Sequence, residues 1–576
     1  MHPVETFELI LILLATVIAL HWLAARVGFP PSAALLVGGG ALAFLPGIPK
    51  VSLDPELALV LFLPPLLMDG AYYSALGRFR RHLPGILSLA IGAVVFTTLV
   101  VGAVVHLLIP ALPWAACFAL GAIVSPPDAV AARSVLQRVH LPRRLRALLE
   151  GESLLNDATG LVLFRFAVAA TLTGTFDGPA AAGSFLLLAL GGATVGLVIG
   201  LVWVAVLRRM TEDTLIVATA TLLCWAAYLA GEALHVSGVI ATVAAGIVFG
   251  WHQHVVLPAG VRMQGSAFWR TLVFTLEALV FILIGFSLRG VLERVGLETV
   301  VSTMALPVIG IVSAVLVTRF AWVFGSDLLL RLLKRAGIAR ARPLGRAQAS
   351  ILAWAGMRGV VTLAVALSLP PQMPGRDLML VTAFAVILAT VVIQGASLAW
   401  LIRLVRPVDT DPPAPMSLAA AEAAIARAKR TEVEARAVDG EGVLRHPRLL
   451  EEYRKRDEAT RRYADDTGKF MPGIRAHFDV ILAAVAAGRS KLIHLHRKGL
   501  IEDEVLHDLE RDLDLEELGA LFQRGDESSG EEGQASPVRQ APEAEGAPQG
   551  QEALADREAM SGRKSHGGQS EENRIP

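Results

Sequence analysis

The chain has 576 residues, of which 54% are hydrophobic and only 18% charged, with a mean hydropathy of +0.55. A wholly soluble protein of this size needs far more polar surface, so that class is excluded. The formal net charge of zero averages an apolar stretch to about Val405 and a charged remainder, and so says little about partners.

The first apolar block, residues 7–25, follows MHPVETFE, which carries two glutamates and no Lys or Arg. A secretory signal needs a basic leading segment, so this block is expected to be the first membrane helix. A helix needs about 20 apolar residues to cross ~30 Å of hydrocarbon. Blocks and breaks then predict thirteen spans, near 7–25, 32–46, 54–73, 84–109, 113–132, 147–173, 183–207, 213–232, 236–250, 270–288, 299–330, 347–370 and 377–402. Alternate loops hold 19 Lys and Arg residues against 4 in the others, with no frame shift along the chain. The richer set is therefore expected to be cytoplasmic, with the N-terminus outside and the tail inside. Cys117 and Cys224 both sit in apolar blocks, away from any CxxC or Cys/His spacing, and read as small core residues.

Ionisable groups inside these spans carry the functional information, because each costs at least ~2.5–3.5 kcal/mol to insert. Asp69 follows Pro64 and Pro65 near a span end, where an interfacial acid is an equal alternative. Asp128 lies in GAIVSPPDAVAA. Pro126 and Pro127 lack N–H groups and disfavour helix before them, so the fifth span should break around residues 125–128. Unwound backbone at membrane depth belongs to protein interiors or wet cavities, and supplies ion sites in transporters. A proline kink with an incidental acid is the alternative.

In EGESLLNDATGLVLF, Ser153 and Asp157 share one helical stripe, and Glu152 and Asn156 the next. Four polar residues before an apolar half-helix face protein rather than lipid, or else form a capping cluster at the membrane surface. Arg165, further along this span, has no evident place. Arg358 lies between Gly356 and Gly359, so the twelfth span is also open to interruption. A buried guanidinium keeps its proton and needs an acid. Glu152, off the Ser153/Asp157 stripe, is the expected partner, in a structural role. Arg319 is expected to balance charge at the broken helices, and Glu277 to reach the interface.

If Asp128 and Asp157 share one cavity, exchange follows. Burial and a neighbouring like charge both favour the protonated form of a carboxylic acid, and such groups titrate as a pair. Ionised, with oxygens from Ser153 and unwound backbone, they would form a hard oxygen site for a small cation such as Na+. Protonation would destroy that site.

The motifs FLPPLLMDGA, GAIVSPPDAVAA, LEGESLLNDATGLVLF, FILIGFSL, WAGMRGVVTLAVALSLP and VVIQGASL occur in this order. Together they resemble the sodium/proton exchangers of the cation:proton antiporter-1 family, over roughly residues 7–406. The resemblance implies an all-α membrane protein with two inverted repeats, crossed broken helices in the fifth and twelfth spans, and a dimerisation domain. It implies that Asp157 is the ion-binding aspartate, preceded by the family's asparagine at Asn156. It likewise implies that Asp128 is the acid at the crossing and Ser153 a hydroxyl ligand. Asp69 stands where the family commonly has Glu, which implies a ligand shortened by one methylene. Glu152 and Arg358 match a buried ion pair tying the core helices together. An asparagine–aspartate pair is associated with electroneutral exchange. Where the family often reads Thr-Asp-Pro, this chain reads Pro127-Asp128-Ala129, which removes a threonine ligand and bears on ion preference.

Residues 407–523 read as a cytoplasmic helical tail: 418–435, 447–469, 471–500 and an acidic helix at 501–522. From 524 to 576 the Gly/Ser/Glu/Pro/Gln mixture lacks apolar anchors and is expected to be disordered. No cofactor motif and no nucleic-acid-binding stripe is expected. The reading is a homodimeric antiporter of a bacterial inner membrane. An intramembrane aspartyl protease would carry YD and GxGD motifs, which the spans lack, and HExxH and GxSxG are absent too. The remaining alternatives are a monovalent cation channel, which would move cations without counter-moving protons, and a K+/H+ antiporter.

Overall fold

The computed structural model describes residues 3–524 apart from 47–54, 74–75, 129–135, 137–138, 140, 176–177, 338–342, 410, 412–415 and 438–443. These residues are helical almost throughout. In chain order the helices are α1 (Pro3–Val27), α2 (Pro31–Ala43), α3 (Pro55–Tyr72), α4 (Leu76–Leu87), α5 (Val94–Leu108) and α6 (Trp114–Val124). Then come α7 (Arg143–Thr173), α8 (Gly178–Leu207), α9 (Asp213–Ala233), α10 (Gly238–Val256), α11 (Ala259–Val295) and α12 (Ala305–Arg335). Two short half-helices, α13 (Arg346–Trp354) and α14 (Val360–Leu367), precede α15 (Arg376–Leu388) and α16 (Gly395–Val405). Wide π turns at Ser88–Ala93 and Ala389–Gln394 join α4 to α5 and α15 to α16, and a third, Val300–Met304, leads into α12.

Eight of the described helices are long and apolar enough to cross a membrane, and Leu11–Val27, Pro31–Ala43 and Trp114–Val124 are shorter apolar helices. The expected spans at 54–73 and 347–370 correspond to α3, with Pro64 and Pro65 inside it, and to the two half-helices. Length alone therefore does not certify thirteen crossings. The breaks have local causes. α6 stops at Val124, just before Pro126 and Pro127, and α13 stops before Gly356 and Gly359.

The helices pack in two groups. One gathers α4, α5, α6, α7 and α12 around the half-helices. The other joins α8, α9 and α10 to α3, and α11 to α2. A separate apolar cluster, including Met68, Leu207, Leu223, Phe249 and Val261, sits inside this second group, the scaffold. There α8 lies close enough to α10 that a Cβ on Gly196 would fall 2.1 Å from the Ala241 carbonyl oxygen.

The tail helices are α17 (Leu418–Arg436), α18 (Pro447–Asp465), α19 (Thr467–Arg497) and α20 (Asp503–Arg524), within two to three residues of most expected boundaries. Ser417 caps α17 by accepting from the Ala420 N–H at 3.1 Å, the ordinary role of a serine there. The buried Asp457 joins α18 to α17, paired with Arg430 at 2.8 Å and with Arg461 at 2.6 Å. Of the segment expected to be disordered, residues 525–576 lie outside the described residues.

Candidate functional site

Where α6 ends, the chain bends at Ser125 and Pro126, leaves the helix and passes the break between α13 and α14 with Pro127 and Asp128. Two hydrogen bonds stitch the breaks together. The Asp128 N–H donates to the Met357 carbonyl at 2.7 Å, and the Val360 N–H donates to the Asp128 carboxylate at 3.1 Å. Val360 is the first residue of α14, so Asp128 supplies an anion at a helix N-terminus, where free N–H groups and the helix dipole favour one. The approach is so close that a Cβ on Gly359 would lie 1.8 Å from Asp128 Oδ2.

The opposite helix ends receive cations. Arg358 is 1% exposed. Its Nε donates to the Val124 carbonyl at 3.0 Å, its Nη2 to the Ser125 carbonyl at 3.3 Å, and its Nη1 to the Gly356 carbonyl. The guanidinium thus covers the carbonyl end of α6. The Arg358 N–H donates to Thr390 Oγ1 at 3.0 Å, in the π turn before α16. Arg319 treats the end of α13 in the same way, its Nη2 donating to the Leu352 carbonyl at 3.2 Å.

This arrangement corrects the expected ion pair. Glu152 accepts a two-pronged contact from Arg319, Nη1 to Oε1 and Nη2 to Oε2, the latter at 2.8 Å. Both side chains are buried. Arg358 needs no such fork, because the carbonyls freed by the break at Pro126 and Pro127 already accept from it. Arg319, expected to balance charge at the broken helices, lies between Glu152 and the Leu352 carbonyl.

α7 brings the acidic run against the crossing. Asn156 is fully buried, and its Nδ2 donates to the Pro127 carbonyl, fixing the helix to the unwound strand. Its Oδ1 has no hydrogen-bond partner among the described residues. Asp157, on the next position, is buried at 7% exposure and within electrostatic range of Asp128. Ser153 is half-buried one turn earlier on the same stripe. Carboxylate, hydroxyl and carbonyl oxygens are the donors that a hard cation prefers.

Asp69 lies on α3, where its Oδ1 accepts from Trp269 Nε1 of α11 at 3.0 Å. Glu277 is half-buried on α11. Arg165, without an evident place in the sequence, meets Glu232 at 3.5 Å. Sequence reasoning did not single out Thr390 or Trp269. A hydroxyl inside the apolar block VILATVVIQ was the available signal for the first, and nothing local marked the second.

The sodium/hydrogen exchanger transmembrane family matches residues 11–404. The chain is 32% identical over 517 residues to an uncharacterized Na(+)/H(+) exchanger of Mycobacterium tuberculosis, covering 86% of this chain and 92% of that one. It is 36% identical over 414 residues to the sodium, potassium, lithium and rubidium/H(+) antiporter of Bacillus subtilis, covering 67% and 60% of the two chains. The sodium proton antiporter MjNhaP1 of Methanocaldococcus jannaschii has a similar fold, with a TM-score of 0.55 at 18% identity over 70% of this chain and 100% of that one.

Proposed function

Since this chain belongs to the sodium/hydrogen exchanger family, a family of multi-pass membrane antiporters, we propose that it exchanges Na+ for H+ with one-for-one, electroneutral stoichiometry at Asp157 and Asp128. The observation that carries this reading is the stitched crossing. Asp128 is held by the Met357 and Val360 backbone, and Asn156 holds the helix bearing Asp157 to the same unwound strand. Cation and proton then compete for one pair of carboxylates. With the ion bound, the charge of the pair is offset by the metal; with the proton bound, the oxygen cage is lost and the metal leaves. Ser153 completes the cage, and Asp69 joins it when α3 approaches. Glu152, Arg319 and Arg358 hold the half-helices in register and take no part in binding.

The reading includes a homodimer through the scaffold group, an N-terminus outside the cell and a cytoplasmic tail. K+/H+ exchange is a second reading, favoured by the name of the Bacillus subtilis relative, which includes potassium.

Purified protein in liposomes carrying an internal pH dye tests both. Adding Na+ outside is expected to make the interior alkaline, with Li+ and K+ compared at equal concentration. Asp157→Asn is expected to abolish the response. A normal response in that variant would sink the site assignment, and cation uptake without proton movement would establish a channel instead.

A further inference from the structure

Arg165 is an intramembrane charge that the exchange site leaves unused. It lies on α7 eight residues beyond Asp157, about 12 Å further along the axis toward Thr173. Its Nη2 is 3.5 Å from Oε2 of Glu232, in the last turn of α9. The other carboxylate oxygen of Glu232 accepts from the N–H of Gly238, the first residue of α10, at 3.3 Å. One oxygen therefore anchors the acid at the corner between α9 and α10, while the other reaches across to α7. The corner itself is tight: the Val236 N–H donates to the Gly231 carbonyl at 2.9 Å, and a Cβ on Gly231 would lie 2.7 Å from the Gly238 backbone.

The two partners belong to different helix groups. α7 packs most broadly against α6 and α4, and meets the scaffold more narrowly, along α3, α8 and α10 and, through Arg165, at Glu232 of α9. Two of the ion pairs on α7 also differ in kind. The Glu152–Arg319 fork lies within one group at 2% and 3% exposure, and opening it would strand buried charge. Arg165 and Glu232 are 59% and 38% exposed. Lipid strongly disfavours an exposed guanidinium, so this face opens on water. Water re-solvates both groups when they separate, which makes this contact cheap to break. The fork can travel with the site, whereas the exposed pair can open in every cycle.

We propose that Arg165 and Glu232 are a positioning pair for exchange, tying the Thr173 end of the site helix to the scaffold in one facing state and parting when α7 moves to the other. This rests on the exchange reading above. The first test joins R165C to E232C with a short, reducible bis-methanethiosulfonate in liposomes, the native Cys117 and Cys224 being buried. Bridging is expected to stop exchange and reductant to restore it, with the wild-type chain unaffected by the reagent. Exchange at an unchanged rate in the bridged protein would overturn the proposal. The second test does not depend on exchange: S153C is labelled with a membrane-impermeant maleimide from each face. Adding R165Q or E232Q is expected to shift the ratio of labelling between faces about two- to fivefold in the same direction, and R165E/E232R to return it. An unchanged ratio refutes the pair's role even if exchange is intact. A shifted ratio, together with a wild-type chain that moves no protons in liposomes, would retain the pair and reject the exchange reading.

Discussion

Gly359→Ala is the sharpest probe of the crossing. A methyl at this position would lie 1.8 Å from Oδ2, 2.8 Å from Cγ and 3.1 Å from Cβ of Asp128. Ordinary contact begins near ~3.5 Å, so the carboxylate and residue 359 must part by about 1.7 Å. That movement removes the 3.1 Å hydrogen bond from the Val360 N–H. A hydrogen bond to a charged group contributes about 1.5–3 kcal/mol, and overpacking a filled site costs about 1–3 kcal/mol more. If about 2–3 kcal/mol of this falls on the transporting conformation, initial exchange rates drop roughly 30- to 150-fold. The assay is the liposome pH response, beside thermal unfolding in detergent to show that the protein folds. Gly290→Ala is the control, because its added Cβ meets nothing within 4 Å. Exchange by Gly359→Ala within about twofold of wild type, a change no larger than many surface substitutions cause, would refute the view that Asp128 is held by this backbone.

Three further outcomes are expected. Removing one partner of the buried fork, by Glu152→Gln or Arg319→Gln, should cost about 3–5 kcal/mol of stability. A double-mutant cycle should then show stronger coupling of residue 152 to 319 than to 358, and the reverse order would restore the partner expected from the sequence. In the linker after α16, Asp409 Oδ2 accepts from Arg143 Nε at 2.7 Å, at the start of the site helix. Burial raises the carboxyl of Asp409, but hydrogen bonds from Arg143 and the Asp411 N–H outweigh it and hold the acid below its ordinary value of 3.8. A depressed value contributes stability above the ordinary range that is lost as pH falls through the folded value. Linker contact should therefore be intact at neutral pH and weaken under strong acid, while Asp409→Asn weakens it at neutral pH by less than about 1 kcal/mol, given its exposure. Hydrogen exchange at the Asp411 N–H reads this, and equal protection in both proteins at neutral pH would contradict it. Finally, Gly196→Ala should lower the unfolding temperature, because its Cβ meets backbone rather than a movable side chain; an unchanged temperature would show that α8 and α10 can separate cheaply.

The breaks were legible because proline and glycine act within a few residues of themselves. Pro126 and Pro127 stop α6 wherever the helix is placed, and a lone Arg358 between Gly356 and Gly359 marks the second interruption. The stripe carrying Ser153 and Asp157 was legible for a similar reason, since four-residue spacing is a property of any helix. The partner of Glu152 was not. Two arginines in the later spans were equally in need of an acid, and the choice depended on which already had acceptors. Arg358 lies beside the carbonyls of Val124 and Ser125, whereas Arg319 faces Glu152 from α12.

By itself the amino-acid sequence determined that this is a helical membrane protein, where its helices break, and which acids lie in its apolar blocks, because hydropathy and backbone chemistry are local. Only the tertiary structure decided that Asp128 caps α14, that Arg319 holds Glu152, that Trp269 holds Asp69 and that Arg165 reaches Glu232. Each of those contacts joins residues far apart in the chain, and a charge or hydrogen-bonding group is satisfied by whichever partner packing brings within a few ångströms, a distance that sequence separation does not encode.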